Sequence, residues 1–435
     1  MKNKVLLLAL FIVLLSATAF GYTSDRMDFG DVDFGGATVT YVAWWNPLEE
    51  FEEGGDYAGR LDEAMEKFNI GGFEFLQLSW GEELQENMFS RFMAGDSDYD
   101  FWMLPHPNFL PLRTAGAILP VNEFLSDDYY ANMPHQHQLM GDALGLGPNK
   151  YTFSVFNGIH NNVQLMAFNK DLIEREGLPD PYELYENGEW TWDTLTDLAE
   201  RVTRDTNNDG EVDQWGLAHI DNNFDTIIFS NNGRITEEVD GAIKYVADMP
   251  ETVEALRQIR EWNQELGVTG GTWQKEVFFD GQAAFAMMPT WEVGQLRDGL
   301  EAEYGLLPIP MGPSATEYVY SSDNVDSLYL PANAAQPEAM LALDNFLFRV
   351  DEFYEAQDET FVERATDFVS YQVLYESVEN WSGLANYYEG IIGPSWDGVW
   401  GGAYQDIMSG ESSAAGAVAE IAPVAQSLLD DALDQ

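Results

Sequence analysis

The chain has 435 residues, no cysteine, and 75 acidic against 20 basic side chains, a formal net charge of −55. A field of that sign repels nucleic acid and anionic lipid and penalises a polyanionic ligand, so a neutral or cationic small ligand is expected. Without cysteine there is neither a disulfide nor a lipidated N-terminal cysteine, and the fold must rest on its own core, for which a hydrophobic content of 45% is ample.

Lys2 and Lys4 precede an unbroken apolar run from Val5 to Leu15, followed by Ser16-Ala17-Thr18-Ala19-Phe20-Gly21. The run is shorter than the roughly 20 residues a membrane span needs, and it fits the apolar region of a secretory signal. Cleavage after Ala17-x-Ala19 or Ala19-x-Gly21 predicts a mature protein starting near Phe20 or Tyr22, soluble outside the cytoplasmic membrane. The remaining length exceeds one ordinary core and predicts two lobes of roughly 200 residues each. Acidic residues run from Asp25 to Asp434 amid normal apolar patterning, which argues against disorder. Brine is the environment in which screening over a few ångströms would make such self-repulsion tolerable.

Ala37 to Trp45, rich in β-branched and aromatic residues after Gly35-Gly36, reads as a first buried strand. Tyr57 to Phe68 reads as a helix with Leu61, Met65 and Phe68 on one face, Phe73 to Leu78 as a second strand, and Glu82 to Ala94 as a second helix. Tyr99 to Leu104 reads as a strand stopped by Pro105. This βαβαβ order predicts an α/β lobe with a mostly parallel sheet and ligands at the carboxyl ends of its strands. Trp44, Trp45, Trp80 and His106 fall at or just after such ends.

A second α/β lobe is predicted from about Tyr151. Val163 to Asn169 reads as a strand, Trp192 to Val202 as a helix with Thr191 as its N-cap, and Glu251 to Leu266 as another helix. Ala283 to Met288 reads as a buried strand ended by Pro289, with Trp291 opening the next helix. Ser327 to Leu330 reads as a strand, and Ala339 to Phe348 and Ala414 to Leu433 as helices. Gly141 to Pro148 is the most linker-like stretch.

Phe168-Asn169-Lys170-Asp171-Leu172, then Gly177-Leu178-Pro179, then Glu189-Trp190-Thr191-Trp192-Asp193-Thr194-Leu195 resemble the signature of family 1 extracellular solute-binding proteins, the sugar-capturing subunits of ABC importers. Three further pieces agree in order: Asp205 to Leu217, Phe279 to Trp291, and Tyr304 to Pro313. Thr194 and Gln282 depart from the family pattern. A late element is missing near Phe361 to Tyr371, which leaves the path of a third crossing between lobes open. The resemblance covers roughly Gly36 to Leu429.

The resemblance implies a two-lobe periplasmic-binding-protein-like fold with a ligand cleft between lobes, residues 22–152 plus 311–368 forming one lobe and 153–310 plus 369–435 the other. It implies a monomer that captures a neutral sugar by hinge closure and hands it to ABC permease subunits in the membrane. A sugar ring offers an apolar C–H face and a polar rim, so flat aromatic surfaces paired with Asp, Asn or His side chains would recognise it. Trp291 matches the family's aromatic platform; Trp44, Trp45, Trp80 and His106 are candidates on the first lobe. Asp323 and Asn324 are candidates for hydroxyl contacts, and Trp396, Asp397 and Trp400 for the far rim. Each competes with an ordinary structural role: a tryptophan is as readily core, and a lone histidine is more often a structural hydrogen-bonder.

Asp205, Asn207, Asp209, Glu211 and Asp213 occupy positions 1, 3, 5, 7 and 9 of a calcium-loop pattern with Gly210 at 6, predicting a weak structural calcium site. Position 12 is Gly216, so the bidentate glutamate is missing, and an Asp-Gly turn explains the stretch equally well. No other cofactor is expected. The sequence lacks a nucleophilic cysteine, H-E-x-x-H, G-x-S-x-G and a phosphate loop, which argues against an enzyme. A secreted glycoside hydrolase or polysaccharide lyase is the alternative, and a polymer-binding surface module a third reading.

Overall fold

The computed structural model describes residues 27–52, 55, 57–145, 149–156, 158–220, 224–270, 274–393 and 398–433. The signal-like segment 1–21 lies outside the described residues, as do Trp396 and Asp397. Among the described residues the strands are β1 (Thr38–Ala43), β2 (Gly72–Gln77), β3 (Asp100–Pro105), β4 (Gln164–Asn169), β5 (Trp215–Ala218), β6 (Thr236–Val239), β7 (Ala242–Tyr245), β8 (Ala283–Pro289), β9 (Tyr304–Leu307) and β10 (Asp326–Tyr329). The chain divides into two compact units, one running to Ile159 and taking up again over Val325–Glu359, the other comprising His160–Asn324 and the chain from Thr360.

In the first unit the sheet order is β10-β3-β1-β2. β1 is parallel to both β2 and β3, and β10 is antiparallel to β3. The helices Arg60–Phe68 and Glu82–Ala94 are the crossovers that parallel pairing requires. β3 is buried at all six positions, apolar from Phe101 onward, with Asp100 at its start paired to Arg91. Pro105 closes β3 opposite Asp326 instead of lying beyond it, and it also caps the helix His106–Thr114. Val39, Tyr41, Phe101, Met103, Leu328 and Leu341 meet in one core.

The second unit has a mixed sheet of order β5-β8-β4-β9, with β5 parallel to β8 and β4 antiparallel to both neighbours, beside the hairpin β6–β7. The helix Trp192–Val202 starts where its sequence predicts, the Thr191 hydroxyl accepting from the Thr194 amide at 3.3 Å. It buries Trp192, Leu195, Leu198, Ala199 and Val202, the helical stripe. β5 passes so close that a Cβ on Gly216 would lie 2.4 Å from Ala199. The helix expected over 251–266 is Pro250–Arg260, continued by a π-helical turn Glu261–Glu265 that buries Trp262.

The unit boundaries differ from those expected at 152, 310 and 368, and packing explains each shift. Of the stretch expected as most linker-like, residues 141–144 finish the helix His135–Leu144 and residues 146–148 lie outside the described residues, while Phe153, Val155 and Phe156 still belong to the first core. Met311 and Gly312 bind backbone of Trp190 and Ser230 in the second unit. Asp367 accepts from Lys170, and the Arg364 carbonyl accepts from the Tyr304 hydroxyl. The third crossing, left open by the sequence, falls inside the helix Val350–Arg364.

Candidate functional site

In the first unit, β1 ends at Ala43 because Asn46 caps a short 3-10 turn at Pro47–Phe51, leaving Trp44 and Trp45 in the bend between. The Trp44 and Trp80 rings meet edge to face, centroids 4.9 Å apart at 85°. Trp80 follows β2 and stays 48% exposed, so the pair presents an open apolar surface at the carboxyl ends of adjacent parallel strands. Trp45 is half-buried and stacks on Phe156 at 5.7 Å, which stacks in turn on Phe348. His106 does not join this surface. It is 1% exposed, and its Nδ1 accepts from the Val325 amide at 3.2 Å, fastening the start of β10 to the end of β3. Against the binding role expected of His106, the structure places it in this contact within the first unit.

In the second unit, Trp291 is the second residue of the helix Thr290–Gly299 and directly follows β8. It is 43% exposed. The Lys275 ammonium lies over its ring, 5.4 Å from the centroid. That ammonium donates to Glu292 Oε1 at 3.0 Å and to Gln295 Oε1 at 3.2 Å. Glu292 is buried in the helix's first turn, where a carboxylate is favoured by the helix dipole, and His219 Nε2 lies 3.2 Å from its Oε2. Burial pushes Glu292 up, and His219 and Lys275 outweigh it, so its carboxyl sits below the usual value. His219, just past β5, has φ 58°, a left-handed backbone uncommon for a residue with a side chain and recurrent at functional sites.

A group of carboxylates belongs to the same unit. Asp225 is buried and accepts from Asn386 Nδ2 at 2.9 Å and Trp400 Nε1 at 3.3 Å. Burial pushes its pKa up to about 6, against those two hydrogen bonds. Glu389 is pushed well above the usual carboxylate range by burial and by the charges of Asp225 and Asp323. The Asp323 amide donates to the Asn162 carbonyl at 3.2 Å, and Asp323 and Asn324 are both half-buried. Trp400, expected at a rim, is 1% exposed; its ring packs on Phe224 and Tyr245 in the unit's core. Its place in the helix Gly398–Ser409 turns it inward.

Residues 73–352 match the family of bacterial extracellular solute-binding proteins. The chain belongs to that family. The fold of this solute-binding protein is also that of solved structures spread over nearly its whole length. An ABC substrate-binding protein of Listeria monocytogenes in complex with cycloalternan is 16% identical, TM-score 0.66, over 92% of this chain and 99% of that one. A maltose/maltodextrin-binding domain of Bdellovibrio bacteriovorus bound to maltotriose is 18% identical, TM-score 0.64, over 92% and 100%. A solute-binding protein of an ABC transporter from Agrobacterium radiobacter, in complex with ribitol, is 16% identical, TM-score 0.64, over 91% and 100%. At these identities the likeness is one of fold, the two-lobe α/β architecture of periplasmic binding proteins. Among the described residues no helix is long and apolar enough to cross a membrane.

The acidic loop of the solute-binding protein closes on itself. Asp205 accepts from the amides of Asn208 and Gly210, Asn207 from that of Asp209, Asp209 from that of Glu211, and Asp213 from the amide and hydroxyl of Thr206. Among the described residues no group of three or more His, Asp or Glu side chains is placed to hold a metal ion. The packing of Gly216 on Ala199 explains why a glutamate is missing at the twelfth position: no side chain fits there. Lys275, Glu292, His219, Asp225 and Glu389 escape the sequence reading. Only Glu292, beside Trp291, carries a local signal, since an acid in a first turn after a buried strand is well placed to hold a cation.

Proposed function

We propose that this solute-binding protein captures a neutral carbohydrate outside the cytoplasmic membrane and delivers it, unmodified and as a monomer, to an ABC permease. The observation that carries the reading is the placement of the exposed indoles. Among the described residues Trp80 and Trp291 are the tryptophans with large exposure, and each follows the carboxyl end of a strand. An apolar ring face left in water at a strand end is matched by the C–H face of a sugar. Family membership supports solute capture, and carbohydrate or polyol ligands in structures of the same fold support the ligand class. Asp323, Asn324 and Glu389 would serve hydroxyl groups, with Trp396 and Asp397 as further candidates.

The test is a tryptophan-fluorescence titration of the mature protein with maltotriose, cycloalternan and ribitol, repeated in molar salt. A saturable shift with the ligand recovered intact supports capture. A conversion product after long incubation supports the hydrolase or lyase reading, and no response to any sugar or polyol ends the carbohydrate reading. The N-terminal segment fits a cleaved export signal, checked by mass spectrometry of the secreted form. The acidic surface fits brine, and an unfolding midpoint that fails to rise with salt would count against that.

A further inference from the structure

Trp291 carries a feature its role as a platform does not require. One of the chain's 20 basic residues stands over its ring, in a protein with 75 acidic ones. Lys275 is not loosely placed: its ammonium is tied to the buried Glu292 carboxylate at 3.0 Å and to Gln295 at 3.2 Å, and Glu292 is backed by His219 at 3.2 Å. The face of an indole attracts cations, and an acidic surface concentrates them. An unguarded Trp291 would therefore be a good seat for ammonium-bearing compounds.

We infer that Lys275 is a specificity-determining positioning residue: it fills the cation place on Trp291 from within, so that the exposed indole accepts uncharged C–H faces and turns away cationic guests such as amino sugars and quaternary amines. The inference rests on the carbohydrate reading and deepens it. A second cation on the same ring would compete with the ammonium for the ring face and, at low ionic strength, sit within about 10 Å of it, where like charges at a protein surface weaken binding by up to about tenfold, less whatever Glu292 offsets. The Glu292 and His219 contacts hold Lys275 in place when the site is empty, so the discrimination exists before any ligand arrives.

Titrations of the full mature protein with maltotriose, glucosamine and choline, followed by tryptophan fluorescence, test this. The wild type is expected to favour maltotriose. At low ionic strength the ratio of cation affinity to maltotriose affinity should rise by up to about tenfold in Lys275→Met, and Lys275→Arg should restore it. An unchanged ratio in Lys275→Met overturns the inference, and so does a loss of all three ligands in equal measure. A ligand-free arm separates this outcome from failure of the carbohydrate reading. Caesium and iodide quenching of the Trp291 emission, isolated by difference from Trp291→Phe at constant ionic strength, should shift toward caesium in Lys275→Met. Equal quenching in both proteins overturns the inference even if no sugar binds.

Discussion

The two units place tryptophans at equivalent points, the carboxyl ends of sheet strands, and surround them with opposite chemistry. In the first unit Trp80 leans on Trp44 edge to face, an apolar pair. In the second Trp291 leans on a lysine that is itself held by a buried acid. Their buried aspartates differ in the same way. Asp100 of the first unit, raised by burial, is held by the Arg91 guanidinium at 2.9 to 3.1 Å. Among the described residues the hydrogen-bond donors to Asp225 of the second are the neutral Asn386 and Trp400, its charge also bears on Glu389, and it is pushed up to about 6. The two units thus set similar indoles at the ends of strands over different charges, and it is on that difference that the proposed selectivity rests.

The contrast can be broken most forcefully at Trp400. If it is core, Trp400→Ala should cost about 3–5 kcal/mol of stability, read as a lowered urea midpoint. A stable variant with weakened sugar binding would return Trp400 to the site. Asp225 comes next. Its raised pKa means the folded protein keeps a proton that the unfolded chain has released between about pH 4 and 6, so stability falls as pH rises through that window, by roughly 3 kcal/mol. Urea midpoints at pH 4.5, 5.5 and 6.5 should show that slope in the wild type and a shallower one in Asp225→Asn, the remainder coming from Glu389 and Asp100, which burial also raises; an identical slope in both removes Asp225 as a source. Trp291→Ala should leave the midpoint within about 0.5 kcal/mol, as an exposed site does, yet weaken maltotriose by about 2 kcal/mol. Trp80→Ala should weaken it by about 1 kcal/mol, since Trp44 remains. Equal losses at the two tryptophans would mean that Trp44 does not compensate for the loss of its neighbour. Smallest of all, calcium added to chelated protein should move the melting temperature by less than about 1 °C, because the loop oxygens are already engaged by its own amides.

Much of the architecture is legible because it rests on local rules. The helix Trp192–Val202 carries its own cap and stripe, and β8, like β3 after Asp100, is an apolar run ended by proline. What escapes is whatever depends on distant contacts. Trp400 and Trp291 have the same side chain, and what sets them apart is distant: Phe224, Tyr245 and Asp225 around one, Lys275 over the other. Lys275 and His219 come from separate segments and meet at Glu292, a convergence no spacing encodes. The unit boundaries slip for the same reason: residues 311–324 have no strong pattern of their own and are claimed by backbone partners at Trp190 and Ser230.

The placement of β10 has a consequence for how the protein is made. β3 exposes one flank until Asp326–Tyr329 pairs with it, and that segment is synthesised only after the whole of His160–Asn324. The nascent amino-terminal sheet therefore waits with a bare hydrogen-bonding edge while the middle of the chain emerges, an interval in which the growing polypeptide is open to wrong pairing and to holdase chaperones. No single truncation yields either half intact, and separate expression of the first unit calls for splicing β10 and the helix Pro337–Leu347 directly behind Ile159.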